Sequence, residues 1–129
     1  MKYLCLIYDD EKVLGKMAKA ELDALMGEYF AFTEGIKKSG HYISGEALQP
    51  VQTATTVRVR NGKTSTTDGP FAETKEQLGG FYMIEARDLN EAIQVAAKIP
   101  PAEVGCIEVR PIRPIRETVK ANAANAAAD

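Results

Sequence analysis

The chain opens on a short, nearly continuous apolar run, Lys2 to Tyr8 (KYLCLIY), which reads as a strand buried on both faces. Asp9 to Lys19 turns polar and reads as a loop with room for a turn of helix. From Ala20 to Ser39 the period becomes helical. Leu22, Leu25, Met26, Tyr29, Phe32 or Thr33, and Ile36 recur at spacings of three and four, so one stripe faces a core. Acidic residues sit early in this segment and Lys37 and Lys38 late, as the helix dipole favours, and Gly40 is placed to end it in a left-handed conformation.

A short strand is expected at Tyr42-Ile43. Thr53 to Arg60 (TATTVRVR) then alternates, with Thr55, Val57 and Val59 on one face and Thr56, Arg58 and Arg60 on the other. Asn61-Gly62 signals a two-residue hairpin, and Lys63 to Thr67 is the return strand. Asp68-Gly69-Pro70 breaks regular structure, and Ala72 to Gln77 has the length of one helical turn. Phe81 to Ala86 reads as a strand. A second helix follows, with Asp88 as cap, Glu91 as its capping-box partner, and Leu89, Ala92, Ile93, Ala96 and Ala97 as its apolar stripe. Pro100-Pro101 stops that helix, and Val104 to Arg110 (VGCIEVR) is the last core strand.

The order is strand, helix, strand hairpin, strand, helix, strand: an α+β, ferredoxin-like βαββαβ unit with an elaborated middle. Its two helices cover one face of an antiparallel sheet. The other face is left bare, and a second copy is the usual cover, so a homodimer is expected. From Pro111 the composition shifts, and Glu117 to Asp129 is alanine-rich with little to pack. The domain is therefore read as residues 1–112, with 113–129 as a tail.

Composition narrows the function classes. The 129 residues suit one domain, and 16 basic against 18 acidic residues, for a net charge of −2, give no nucleic-acid footprint. Cys5 and Cys106 stand far apart in apolar stretches and read as buried free thiols of a reducing compartment. With no CxxC or Cys/His cluster, no metal site is expected, and no phosphate loop or dinucleotide fingerprint calls for a cofactor. The first apolar run is too short for a signal peptide and meets Asp9-Asp10-Glu11 at once; no run approaches a membrane span. These features point to a cytoplasmic protein.

Asp68 is the first candidate for chemistry. A carboxylate at a strand end before Gly-Pro can stand free as a base or ligand, or it can be used up by its own Asx turn. Glu73 would line the same side of a cleft if Ala72 to Gln77 were helical. In the last strand Glu108 and Arg110 oppose Ile107 and Val109, as Arg58 opposes Val57 and Val59. If the valine faces pack under the helices, these charges enter the bare face, paired with one another or lining a cleft for an anionic or phenolic molecule. Tyr29 and Tyr82 are aromatic candidates for the wall of that cleft. His41 joins it only if its ring reaches Asp68.

Residues 68–76 read DGPFAETKE and run into Gln77-Leu78-Gly79-Gly80-Phe81-Tyr82. Together with KYLCLIY, Gly45 to Pro50, Thr53 to Arg58 and Glu108 to Pro111, this string resembles the DGPF family, a branch of the YCII-related proteins. The resemblance spans roughly residues 1 to 112. It implies a ferredoxin-like fold assembled as a dimeric α/β barrel. Some YCII relatives are proposed to be enzymes with a His–Asp pair, one branch resembles a chlorohydroquinone dehydrochlorinase, and DGPF members are often encoded beside sigma factors. The histidine of that pair lies within the first helix, where this chain offers Glu28, Tyr29 or Phe32; its one histidine, His41, comes later.

Two functions follow as expectations. One is a small-molecule enzyme, a cofactor-independent lyase or isomerase with Asp68 as base. The other is a non-catalytic ligand-binding or regulatory partner, associated with a sigma factor. The alanine-rich tail generates the first test. Truncation after Arg116 should change unfolding free energy in urea by less than about 1 kcal/mol, because almost no large apolar side chain is lost. A loss of several kcal/mol would make the tail a docked part of the domain.

Overall fold

A computed structural model describes residues 1–116 and residue 122; the alanine-rich tail otherwise lies outside the described residues. The elements are β1 (Lys2–Asp9), α1 (Glu11–Leu14), α2 (Lys19–Lys38), β2 (Tyr42–Ala47), β3 (Thr55–Arg60), β4 (Lys63–Asp68), β5 (Gln77–Glu85), α3 (Leu89–Ala96) and β6 (Cys106–Pro111). Four strands form one sheet in the order β2-β5-β1-β6, every neighbour antiparallel. With α2 between β1 and β2 and α3 between β5 and β6, this α+β arrangement is compatible with the ferredoxin-like plan.

The second sheet strand is β2, longer than the expected Tyr42-Ile43 segment. The hairpin is not part of that sheet: among the described residues β3 and β4 pair only with each other. Val57 and Val59 are 59% and 56% exposed, so the valine face does not pack under the helices as expected. Nothing in the alternation could distinguish a buried strand from a projecting ribbon. The turn itself is as the sequence predicts, with Asn61 and Gly62 at φ 52° and 75°.

β1 is the central strand, and its alternation sorts the two faces. Tyr3, Cys5 and Ile7 are buried toward the helices, and Leu4, Leu6 and Tyr8 point the other way, half-buried. Register extends this across the sheet. Cys5 lies between Tyr82 and Val109 on the helix side, while Leu6 lies between Phe81 and Glu108 on the outer side. The inner layer is closed by Tyr29, Phe32 and Ile36 of α2 and by Ala92, Val95 and Ala96 of α3. Burial within this layer holds the Cys5 thiol up at about 11.

Both helices depart from their expected stripes. Leu22 and Met26 are exposed, so α2 overhangs the sheet at its N-terminal half. α3 is rotated: Val95 and the following Ile99 are buried, whereas Leu89 and Ile93 are about half exposed. The cap is present, Glu91 N–H donating to Asp88 Oδ1 at 2.9 Å, but the Glu91 carboxylate reaches back to the backbone N–H of Arg87. α2 ends at Gly40 with φ 81°, as its position predicts. The edges of the sheet are irregular: β2 shifts register between Tyr42 and Ser44, and β6 ends on Pro111.

Ile84 is fully buried beside Tyr3. Ile84→Ala should destabilise by roughly 2–4 kcal/mol, through lost burial and the cavity left behind. Urea unfolding measures it; a loss under 1 kcal/mol would place the centre of the core elsewhere.

Candidate functional site

The residues expected to form one cleft are spread over three places. Asp68 closes β4 opposite Thr55, exposed, and its carboxylate makes no hydrogen bond among the described residues. The turn beside it is held without it, by Gly69 N–H donating to Ala54 O at 2.7 Å and the Thr56 hydroxyl donating to Gly69 O at 2.8 Å. Arg58 stands on the same hairpin. Glu73 is exposed in an irregular segment. The helical turn expected over Ala72–Gln77 is absent, because the side chains of Thr74 and Gln77 bond the backbone locally: the Thr74 hydroxyl donates to Glu76 O, and Gln77 Nε2 donates to Thr74 O at 2.6 Å.

A second group lies on the outer sheet face, where Arg110 Nε donates to Glu108 Oε2 at 3.0 Å. Arg58 does not join this pair. The third group is on the helix side. Tyr82 shares a 2.7 Å hydrogen bond with the Thr33 hydroxyl and packs edge-on against Phe32. Tyr29 packs on the same core. Burial raises both phenols above their ordinary value; for Tyr29 the nearby Asp9 carboxylate adds to the effect. His41 is engaged elsewhere, with Nδ1 2.7 Å from the Ser39 hydroxyl and Nε2 3.2 Å from Glu91, itself bound to Arg87 at 2.6 Å.

The group that concentrates unusual chemistry is Asp9, which the sequence left in a polar loop. It is the last residue of β1, opposite Gln77. Its Oδ1 is buried and has no hydrogen-bond partner among the described residues. Two glycines allow this packing. A side chain on Gly105 would meet Tyr8 O at 2.0 Å and Asp9 Oδ1 at 3.3 Å; one on Gly79 would meet Asp9 Oδ2 at 3.3 Å. Gly79 also falls at the register shift where β5 passes from Gly80 opposite Ile7 to Leu78 opposite Tyr8, the local irregularity that re-aims side chains at strand ends.

Burial raises the Asp9 carboxyl above the usual aspartate value, and the Glu76 carboxylate adds to it. Glu76 Oε2 in turn accepts a hydrogen bond from Cys106 Sγ at 3.3 Å, which raises the thiol. Cys106 is exposed on the outer face of β6, which corrects the expectation of a second buried thiol. The surrounding backbone is fixed by side chains: Glu11 N–H donates to Gln77 Oε1 and Val51 N–H to Glu11 Oε1, each at 3.0 Å. Asp9, Glu76, Cys106 and Tyr29 thus gather at the end of the central strand. The arrangement sets a partly desolvated carboxyl near a partly buried phenol, the kind of pair that proton transfer uses. The one sequence signal was an acidic pair directly after an apolar strand.

Among the described residues no three His, Cys, Asp or Glu side chains converge to hold a metal ion, and no helix is long and apolar enough to cross a membrane. An open groove of about 790 Å³ lies between α2 and the end of α3, lined by Phe32, Ile36, His41, Val95 and Ile99 among others. Another, of about 580 Å³, lies beside Met1 and Ile112 to Arg116. Neither is lined by Asp9 or Asp68.

The YCII-related domain model matches residues 1–116. An uncharacterised protein of Rhizobium meliloti (strain 1021) is 39% identical over 114 residues, covering 87% of this chain and 92% of that protein.

The raised Asp9 value sets a sign for stability. Between the ordinary aspartate value and the raised one, the folded state holds a proton that the unfolded chain has released. Stability therefore falls as pH rises through that window, and above it the ionised carboxylate is a net cost. Asp9→Asn should be more stable than the parent to urea at neutral pH, with the advantage shrinking near pH 3. A variant less stable at neutral pH would make the carboxylate a structural acceptor.

Proposed function

The chain belongs to the YCII-related domain family, and on that premise we propose that it is a small-molecule enzyme that moves protons without a redox cofactor, as a lyase or isomerase. The observation that carries this reading is the buried, unpartnered oxygen of Asp9, on a carboxyl whose proton affinity is raised. A general acid or base works best when its value is drawn toward the working pH, and a carboxyl reaches that by losing solvent. Tyr29 is the neutral phenol nearest in effect, suited to stabilise a developing oxyanion. A phenolic or enolisable substrate fits these groups.

Asp68, the base expected from the DGPF string, is the second carboxylate in this proposal. It lies free at the root of the hairpin, where a bound molecule or a partner would meet it. The protein works as a homodimer whose sheets pack face to face, closing the dimeric α/β barrel. Supporting this is the outer face: Leu4, Leu6, Tyr8, Phe81 and Met83 are half-buried there, with no helix over them among the described residues. The same surface favours the non-catalytic reading, in which a regulatory partner such as a sigma factor covers it. The Asp9 cluster is what tips the balance to an enzyme, because a pure docking surface has no use for an ionisable group kept at a cost to stability.

The test is carbon–hydrogen exchange in D₂O, followed by NMR, across phenols, enolisable ketones and α-hydrogen acids. At least one compound should exchange faster with the protein. Asp9→Asn should lower that rate by about 100-fold or more, and Asp68→Asn by about tenfold, with the fold intact. An Asp9→Asn protein as active as the parent, or no exchange with any of the three classes, would defeat the enzyme reading.

A further inference from the structure

Among the described residues the β3–β4 hairpin is a ribbon with no body of its own to rest on. All twelve of its strand residues except Thr56 are exposed, and Phe71 just after it is 81% exposed. Register places Val57 and Val59 on one face with Thr64 and Thr66, and Arg58 and Arg60 on the other with Lys63 and Ser65. Arg58, Arg60 and Lys63 make no ion pair among the described residues. A free two-stranded hairpin is marginal in water, and exposed valines add to its need for cover. Conversely, the Asp9–Glu76 cluster and the adjoining Glu108 gather acids around Cys106, and neither Asp9 nor Glu76 has a cation among the described residues.

We propose that this hairpin is an arm that crosses to a second copy of the chain, lies along the rim of the seam where the two sheets meet, and brings Arg58 to the acidic end of the partner subunit's site. The inference rests on the homodimer proposed above. The length of the arm fits: six residues per strand reach about 20 Å, against about 14 Å across a four-stranded sheet. The charges also fit, a basic face meeting uncompensated carboxylates and a valine face meeting the apolar outer rows of the seam. The site is then complete only in the dimer. A guanidinium arriving at this acidic end would offer an anchor to an anionic or phenolate substrate.

Cys106 provides the reporter, because it is exposed beside Glu76 while Cys5 is buried. Arg58→Cys and Arg60→Cys, both at exposed positions, are treated with a short bismaleimide at micromolar protein. The expected product is a covalent species of twice the 14.0 kDa chain mass, formed by at least one variant and abolished when Cys106→Ser is added. Arg58→Glu with Arg60→Glu should also weaken the dimer at least tenfold by sedimentation. A parent that sediments as a dimer but yields only uncrosslinked or internally crosslinked chains overturns the arm and leaves the dimer standing. A parent that sediments as a monomer overturns both, and neither result bears on exchange by the Asp9 cluster.

Discussion

The structure depends on β1 being paired on both edges. A strand held by β5 on one side and β6 on the other has no freedom to slip, because a shift of one residue would turn Tyr3, Cys5 and Ile7 out of the helix layer. That fixed register is what holds Asp9 at the sheet's end, close against Gly79 and Gly105. A carboxylate on a mobile loop would rotate into water and keep its ordinary proton affinity. One at the end of a doubly paired strand has its surroundings imposed on it.

The imposed surroundings are sterically narrow. Gly105 leaves no room for a β-carbon against the carbonyl of Tyr8, and its own N–H donates to Pro101 O at 2.7 Å. The turn that follows Pro100-Pro101 therefore presses directly on the strand end. Proline pair, glycine and aspartate act as one unit, although Asp9 lies more than ninety positions from the other three in the chain.

How much of this was legible depended on whether a feature was local. The Asn61-Gly62 turn, the Asp88 cap and the Gly40 helix end are set by neighbours in sequence, and each could be placed beforehand. The central strand was legible because seven residues of apolar pattern have few other uses. What failed required knowledge of what lies opposite. Val57 and Val59 alternate as a buried strand would, yet no element packs on them among the described residues. The rotation of α3 follows from Val95 and Ile99 fitting the sheet better than Leu89 and Ile93, a matter of facing shapes. Asp9 looked like any acid opening a polar loop; its burial comes from two glycines distant in sequence. Asp68, by contrast, drew attention through its distinctive string, and the structure leaves it at the root of the hairpin.

The two edges of the main sheet carry a further consequence. Among the described residues β2 and β6 each pair on one side only, which would ordinarily invite end-on growth of sheets from molecule to molecule. Both edges spoil that template. β2 breaks its register at Tyr42 to Ser44, and β6 carries Glu108 and Arg110 before ending on Pro111, which has no N–H to give. Strand-to-strand addition is thus discouraged at the rim. A two-fold contact closes on itself, whereas strand addition at an edge can repeat without limit. The borders of the sheet are built to keep it from becoming a fibre.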